Sequence, residues 1–405
     1  MHHALKLAPF IAALVLSACG GGGSETPAPV TPAPPEVIAP YQATLIAGVA
    51  KPVEYSETDP KPGCVDGPAL GAKLRPRTDA QAFARTPNGN LLLAEWGYCD
   101  SRYRIRVIDP VGNTIKTLAV GTLFRYADEY ADHEALTTFL TPTALAAAPS
   151  GDIYIGDSDI VPYVGYPEYS AGPRSQPNRG PGIWKLGVDG NISVVAGVSL
   201  PEPYYPAYES FVDGTGAAAS FKSIEGMCFG SDGLLYVNDH SAPRTVSPSG
   251  TVMTPDYLQS MATCGINGSM LFMRWWYNDL THSYGIYDFY DPIAQRSIAQ
   301  KPTTWYLKTD LNPTGLLLYF GADNPSVLIR ELIPSSTSIL YSGLTIVNLV
   351  DGSSTRVAWF STRNRPVDLA AVPPVIDSAI AVVPNGSTDF DILTKQGVIR
   401  FTRKP

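Results

Sequence analysis

The sequence predicts an all-β fold, a β-propeller of six four-stranded antiparallel blades, and three observations lead to it. A unit made of an apolar strand, a glycine turn and a second strand recurs along most of the chain. Glycine and proline are abundant, at 36 and 37 residues, while only 16% of residues are charged. Residues 41–405 form one long stretch with no basic run and no apolar run long enough to span a bilayer. An isolated four-stranded sheet cannot cover its own apolar faces, so such units must stack on neighbours and close radially.

The chain opens with an expected lipoprotein signal over residues 1–18. Lys6 is followed by the apolar run Leu7 to Leu16, which is the length of a signal-peptide core and too short for a transmembrane helix. Leu16-Ser17-Ala18-Cys19 then places small residues before a cysteine, and Gly20 to Gly23 follow. This segment resembles the bacterial lipoprotein signal. The resemblance implies lipidation at Cys19, and Gly20 in place of Asp after it implies the outer membrane, with the periplasmic or surface side left open. Residues 19–40 read as a tether, because the Pro-Ala-Thr-Val repetition of Thr26 to Pro35 builds no core and favours extended geometry.

The repeats follow. Ala82 to Glu95 carries the first turn at Asn88-Gly89, and Arg104 to Gly121 continues it. Ala144 to Asp157 and Gly182 to Gly197 repeat the pattern, as do Glu225 to Asp239 and Thr245 to Val252. Val212-Asp213-Gly214 is echoed by Val65-Asp66-Gly67 and by Val350-Asp351-Gly352. These segments resemble NHL repeats, with their Asp-Gly approach, Gly-Asn-Leu-Tyr-Val-Ala-Asp centre and Leu-Ala-Gly end. The resemblance is good over residues 44–252, thin over 256–343, and partly recovers at Phe390 to Phe401. Six units are expected, at about 80–121, 143–197, 224–254, 259–299, 303–343 and 367–404, with residues 44–48 pairing with the last to close the ring. Seven blades is the alternative, with two more strands hidden in Leu344 to Phe360.

Four cysteines remain after Cys19, and an even number in an oxidising compartment reads as two disulfides with three possible pairings. In a blade with strands a to d, the b–c and d–a loops emerge on one face. Cys64 and Cys99 both fall on that face, while Cys228 and Cys264 fall at matching registers of neighbouring inner strands. The expected pairs are Cys64–Cys99 and Cys228–Cys264.

The net charge of −8 argues against a nucleic-acid partner. Serine-hydrolase elbows, zincin motifs, phosphate-binding loops and calcium loops are all missing. Two constellations remain. Glu95, Asp157 and Asp239 end b-strands at matching positions, and His240, His282 and His133 map to the same face, as a divalent metal or an acid–base pair would need. Gluconolactonase-like propellers bind metal with residues from several blades. That resemblance implies a metal-dependent hydrolase or lactonase as the alternative function. Against it, an acid at this repeat position commonly satisfies turn amides.

The other constellation is aromatic. Insertions with Tyr163, Tyr166 and Tyr169, and with Tyr204, Tyr205 and Tyr208, share that face with Trp96, Tyr98, Trp275, Trp276 and Tyr277. Tyrosine and tryptophan offer stiff, amphipathic contact area. The primary expectation is therefore a non-enzymatic envelope lipoprotein, without cofactor, binding a protein or glycan through this face.

Overall fold

A computed structural model describes residues 41–49, 62–77, 82–122, 138–158, 179–199, 212–240, 242–255, 261–265, 268–278, 283–291, 296–300, 316–321, 325–333, 341–350, 353–361, 375–376 and 379–405. The fold is an all-β propeller, and the described strands form six hydrogen-bonded sheets.

The first sheet runs from Phe83–Arg85 through Leu91–Gly97 and Arg102–Asp109 to Thr114–Val120, with Gly67–Pro68 on its outer edge. The second contains Pro142–Ala147, Ile153–Asp157, Arg179–Leu186 and Ile192–Ser199. The third contains Ile224–Phe229, Leu235–Asp239, Ala242–Val246 and Thr251–Met253, edged by Gly214–Thr215. The fourth contains Met261–Cys264, Met270–Asn278, Ser283–Asp291 and Arg296–Gln300. The fifth contains Leu316–Tyr319, Ser326–Ile333, Tyr341–Asn348 and Ser354–Ser361, with Val375–Ile376 added in parallel.

The last sheet joins Ala381–Asn385, Asp389–Leu393 and Gly397–Arg403 to the chain's first strand, Tyr41–Gly48. Tyr41 pairs with Arg403 and Gly48 with Gly397, the closure expected for residues 44–48. Gly48 carries φ +82°, and a Cβ there would collide with the Gln396 carbonyl, so the Ala-Gly strand end is a close backbone approach.

Burial explains why the strands read as continuous apolar runs instead of alternating ones. Leu91 and Leu93 join Val383, Leu393 and Val398 in a core against the last sheet. Leu92 and Ala94 point the other way, into a core with Leu145, Ile155 and Trp184 of the second sheet. Both faces of a strand are thus buried between neighbours. Further cores pack the second sheet on the third, through Ile183, Phe221, Ile224 and Val237. The fifth packs on the last through Leu328, Leu344, Phe390 and Phe401.

Both expected disulfides are present, Cys64–Cys99 and Cys228–Cys264, each with a Cα–Cα distance of 6.2 Å. The second joins the inner strands of the third and fourth sheets.

The expected partition into units is corrected in the fifth. Its sheet spans 316–361, not 303–343, because Tyr341–Asn348 and Ser354–Ser361 pair as its third and fourth strands. Leu344 to Phe360 therefore completes this sheet and supplies no seventh blade. Val350 belongs to the connection between those strands and not to an approach between units.

Candidate functional site

The three b-strand acids are each fully engaged by protein donors. Asp157 is 2% exposed, and its carboxylate accepts the Leu140 and Thr141 amides at 2.8 and 2.9 Å. Asp239 is 0% exposed and accepts the Lys222 and Ser223 amides, both at 2.7 Å. Glu95 is also 0% exposed and accepts the Arg75 amide at 2.7 Å. In each case the amides belong to the segment entering the same sheet. The acid at the b-strand end stitches that incoming loop to the strand, satisfying donors with no ladder partner.

Two of these acids also hold a buried arginine. Arg106 donates to Glu95 at 3.1 Å, to the Val65 carbonyl at 2.8 Å and to Asp66 at 3.1 Å. Arg244 repeats the arrangement with Asp239 at 3.0 Å, the Val212 carbonyl at 3.1 Å and Asp213 at 2.7 Å. Asp66 caps Thr117 and Asp213 caps Thr254, through backbone and hydroxyl alike. The Val-Asp-Gly echo is therefore one half of an arginine clamp that fixes a short outer strand. In the last sheet Asp391 is held by Arg400 and by Arg85 of the first sheet, an ionic link across the closure.

Burial pushes the carboxyls of Glu95 and Asp239 above the ordinary range, against the pull of Arg106 on one and of the Ser223 and Lys222 amides and Arg244 on the other. At Asp213 the Thr254 and Arg244 donors outweigh desolvation and hold the carboxyl below its usual value.

His240 lies on the surface with φ +45°, its Nδ1 3.3 Å from Glu225. His133 and His282 lie outside the described residues. Among the described residues no three of His, Cys, Asp and Glu gather as a group able to hold a metal ion. Glu95, Asp157 and Asp239 as placed do not fit a shared metal, because their oxygens already serve separate loops and arginines.

The described part of the aromatic face is compact. Trp96 is half-buried, edge-on to Tyr103 with ring centroids 4.8 Å apart. Tyr98 is 47% exposed, and the Arg75 guanidinium lies 3.6 Å from its ring centre. Arg77 lies over Tyr103 at 5.6 Å. Cys64–Cys99 pins the 62–64 segment beside them, with the Tyr98 amide donating to Pro62 at 3.3 Å. Trp275 and Trp276 sit near the end of their b-strand, paired with Ile286 and Gly285. Tyr163, Tyr166, Tyr169, Tyr204, Tyr205 and Tyr208 lie outside the described residues.

Sequence reasoning missed Arg106, Arg244 and Arg400. Their signal was available: each lies on a c-strand at, or two residues beyond, the position opposite a b-strand acid, within reach of its carboxylate.

No protein-family model and no curated protein sequence matches this chain. Solved structures are similar only at the level of the fold. A protein of unknown function from Bacteroides thetaiotaomicron is 12% identical, with 89% of this chain and 75% of that one covered and a TM-score of 0.44. A gluconolactonase from Xanthomonas campestris is 11% identical over 92% and 98% of the two chains, with a TM-score of 0.40. A PQQ-bound aldose sugar dehydrogenase from Streptomyces coelicolor is 10% identical over 84% and 99%, with a TM-score of 0.37.

Proposed function

We propose that this chain is an envelope lipoprotein whose propeller serves recognition, displaying its aromatic face to a protein or a glycan. One observation carries the reading: the acids that would have made a catalytic mouth are engaged in holding loops and arginines. What that face offers a ligand is the partly exposed Trp96 and Tyr98 with the Arg75 guanidinium, a combination suited to stacking on a sugar or docking a polar protein surface.

The test is single replacement of Trp96 and Tyr98 by Ala, with binding measured on a glycan array and against envelope proteins. Loss of an anchor should weaken binding by about 2 kcal/mol or more, with the melting temperature nearly unchanged. A loss of stability with binding intact would make these rings packing elements.

The competing reading is a metal-dependent hydrolase or lactonase using Glu95, Asp157, Asp239, His240 and His282, the activity named for the Xanthomonas propeller. It requires these acids to exchange their present partners for a metal.

Membrane attachment is the second part of the proposal. Cys19→Ser should abolish lipidation and move the protein from the detergent phase to the aqueous phase, since lipid chains supply the anchor. A variant that stays with the outer-membrane pellet would contradict it.

A further inference from the structure

We propose that the Cys64–Cys99 bridge is a thiol–disulfide exchange site, in which Cys64 Sγ is attacked by an incoming thiolate and Cys99 Sγ departs. This goes beyond the recognition reading and does not depend on it.

Both sulfurs carry a hydrogen-bond donor. The Cys99 amide donates to Cys64 Sγ at 3.1 Å. Arg104 Nη2 donates to Cys99 Sγ, also at 3.1 Å. A guanidinium at that distance stabilises a thiolate far more than a thiol or a disulfide sulfur, so it favours Cys99 as the leaving group. Asp100 is the neighbouring negative group, with Oδ1 3.7 Å from Cys99 Sγ. Arg104 grips both Asp100 oxygens at 2.9 and 2.8 Å, so the same carboxylate that opposes the thiolate holds the guanidinium against it.

The position is open to a partner. Cys99 is exposed and Cys64 half-buried, on a loop of the first sheet. Cys228 and Cys264 are both half-buried and lie within the inner strands of two neighbouring sheets, Cys228 opposite Tyr236 and Cys264 opposite Met270, so only the first bridge has an exposed cysteine.

The step is balanced by the attacking thiol. A thiolate RS⁻ forms an S–S bond to Cys64 Sγ as the Cys64–Cys99 bond breaks, and the electron pair leaves on Cys99 Sγ beside Arg104. A second RS⁻ then attacks the sulfur of R, releasing RSSR and the Cys64 thiolate. Two thiols are oxidised, the bridge is reduced, and both cysteines are free to take protons from solvent. Opening the bridge removes the covalent tie between the 62–64 segment and the loop after Trp96, leaving the Tyr98 amide bond to Pro62.

The experiment exposes the full chain to reduced glutathione, quenches it with acid, alkylates free thiols and maps them by mass spectrometry. The expected result is opening of Cys64–Cys99 at least tenfold faster than Cys228–Cys264, with glutathione found on Cys64 and alkylation on Cys99. Arg104→Gln should slow that opening on the order of tenfold, and Arg104→Lys should restore most of the rate. Equal opening of the two bridges, or glutathione found on Cys99, overturns the proposal. So does an Arg104→Gln variant that melts like the parent and exchanges as fast. The comparison of the two bridges needs no variant, so it decides the matter even if Arg104→Gln fails to fold.

Discussion

Asp239→Ala is expected to destabilise the protein by about 3–5 kcal/mol, because it removes the buried carboxylate partner of Arg244 and leaves that buried guanidinium only the exposed Asp213 and two carbonyls. Arg244 is 0% exposed, and removing the carboxylate also strips the acceptor from the Lys222 and Ser223 amides. Asp157→Ala provides a comparison. Its carboxylate accepts the Leu140 and Thr141 amides, and losing those two bonds is expected to cost about 1–3 kcal/mol. Urea unfolding, compared at equal slope, measures both. A combined Asp239→Leu, Arg244→Met variant should recover much of the loss, since apolar side chains of similar volume can replace a buried pair. A loss under about 1 kcal/mol for Asp239→Ala would mean that Arg244 does not depend on Asp239.

The second large effect is expected at ring closure. Phe390 is 0% exposed, stacked on Phe401 with centroids 5.2 Å apart and tilted against Tyr41 at 5.3 Å. It also meets Phe320 of the fifth sheet edge to face at 6.3 Å. This one ring therefore joins the chain's first strand, its last sheet and the neighbouring sheet. Phe390→Ala should cost about 3–5 kcal/mol through lost burial and the cavity left behind. Because Tyr41 loses its aromatic neighbour, limited proteolysis should cut near residue 41 sooner than in the parent. A stable variant with unchanged cleavage would show that closure rests on the backbone ladder alone.

Much of this architecture could be read from residues. Leu91 to Ala94 and Ile153 to Ile155 announce strands buried on both faces, and the Asn88-Gly89 and Ser249-Gly250 turns set where they reverse. The pairing of residues 44–48 with the last sheet followed from a detached outer strand, Cys64–Cys99 from loop polarity, and Cys228–Cys264 from matching registers of neighbouring inner strands. The fifth sheet was misplaced for a physical reason. Its connections lack the Asn-Gly and Ser-Gly turns of the earlier units, and Val350-Asp351-Gly352, between its third and fourth strands, imitates the clamp sequence that elsewhere precedes a unit. The acids were legible as a repeated position, but their partners were not. The clamp joins Arg244 to Val212 and Asp213, and Arg106 to Val65 and Asp66, contacts far apart in sequence that only the closed sheet edge creates. The six insertion tyrosines lie outside the described residues, so the aromatic face rests on Trp96 and Tyr98.

The assignment of the b-strand acids to structure, and of the face to recognition, is tested most directly by metal analysis of the purified Cys19→Ser chain after exhaustive dialysis, with lactone hydrolysis assayed on the same sample. Metal well below one equivalent and no turnover are expected. One equivalent of a divalent metal that survives dialysis, with turnover that disappears along with it when His240 and His282 are replaced by Ala, would make the propeller a metal-dependent enzyme instead.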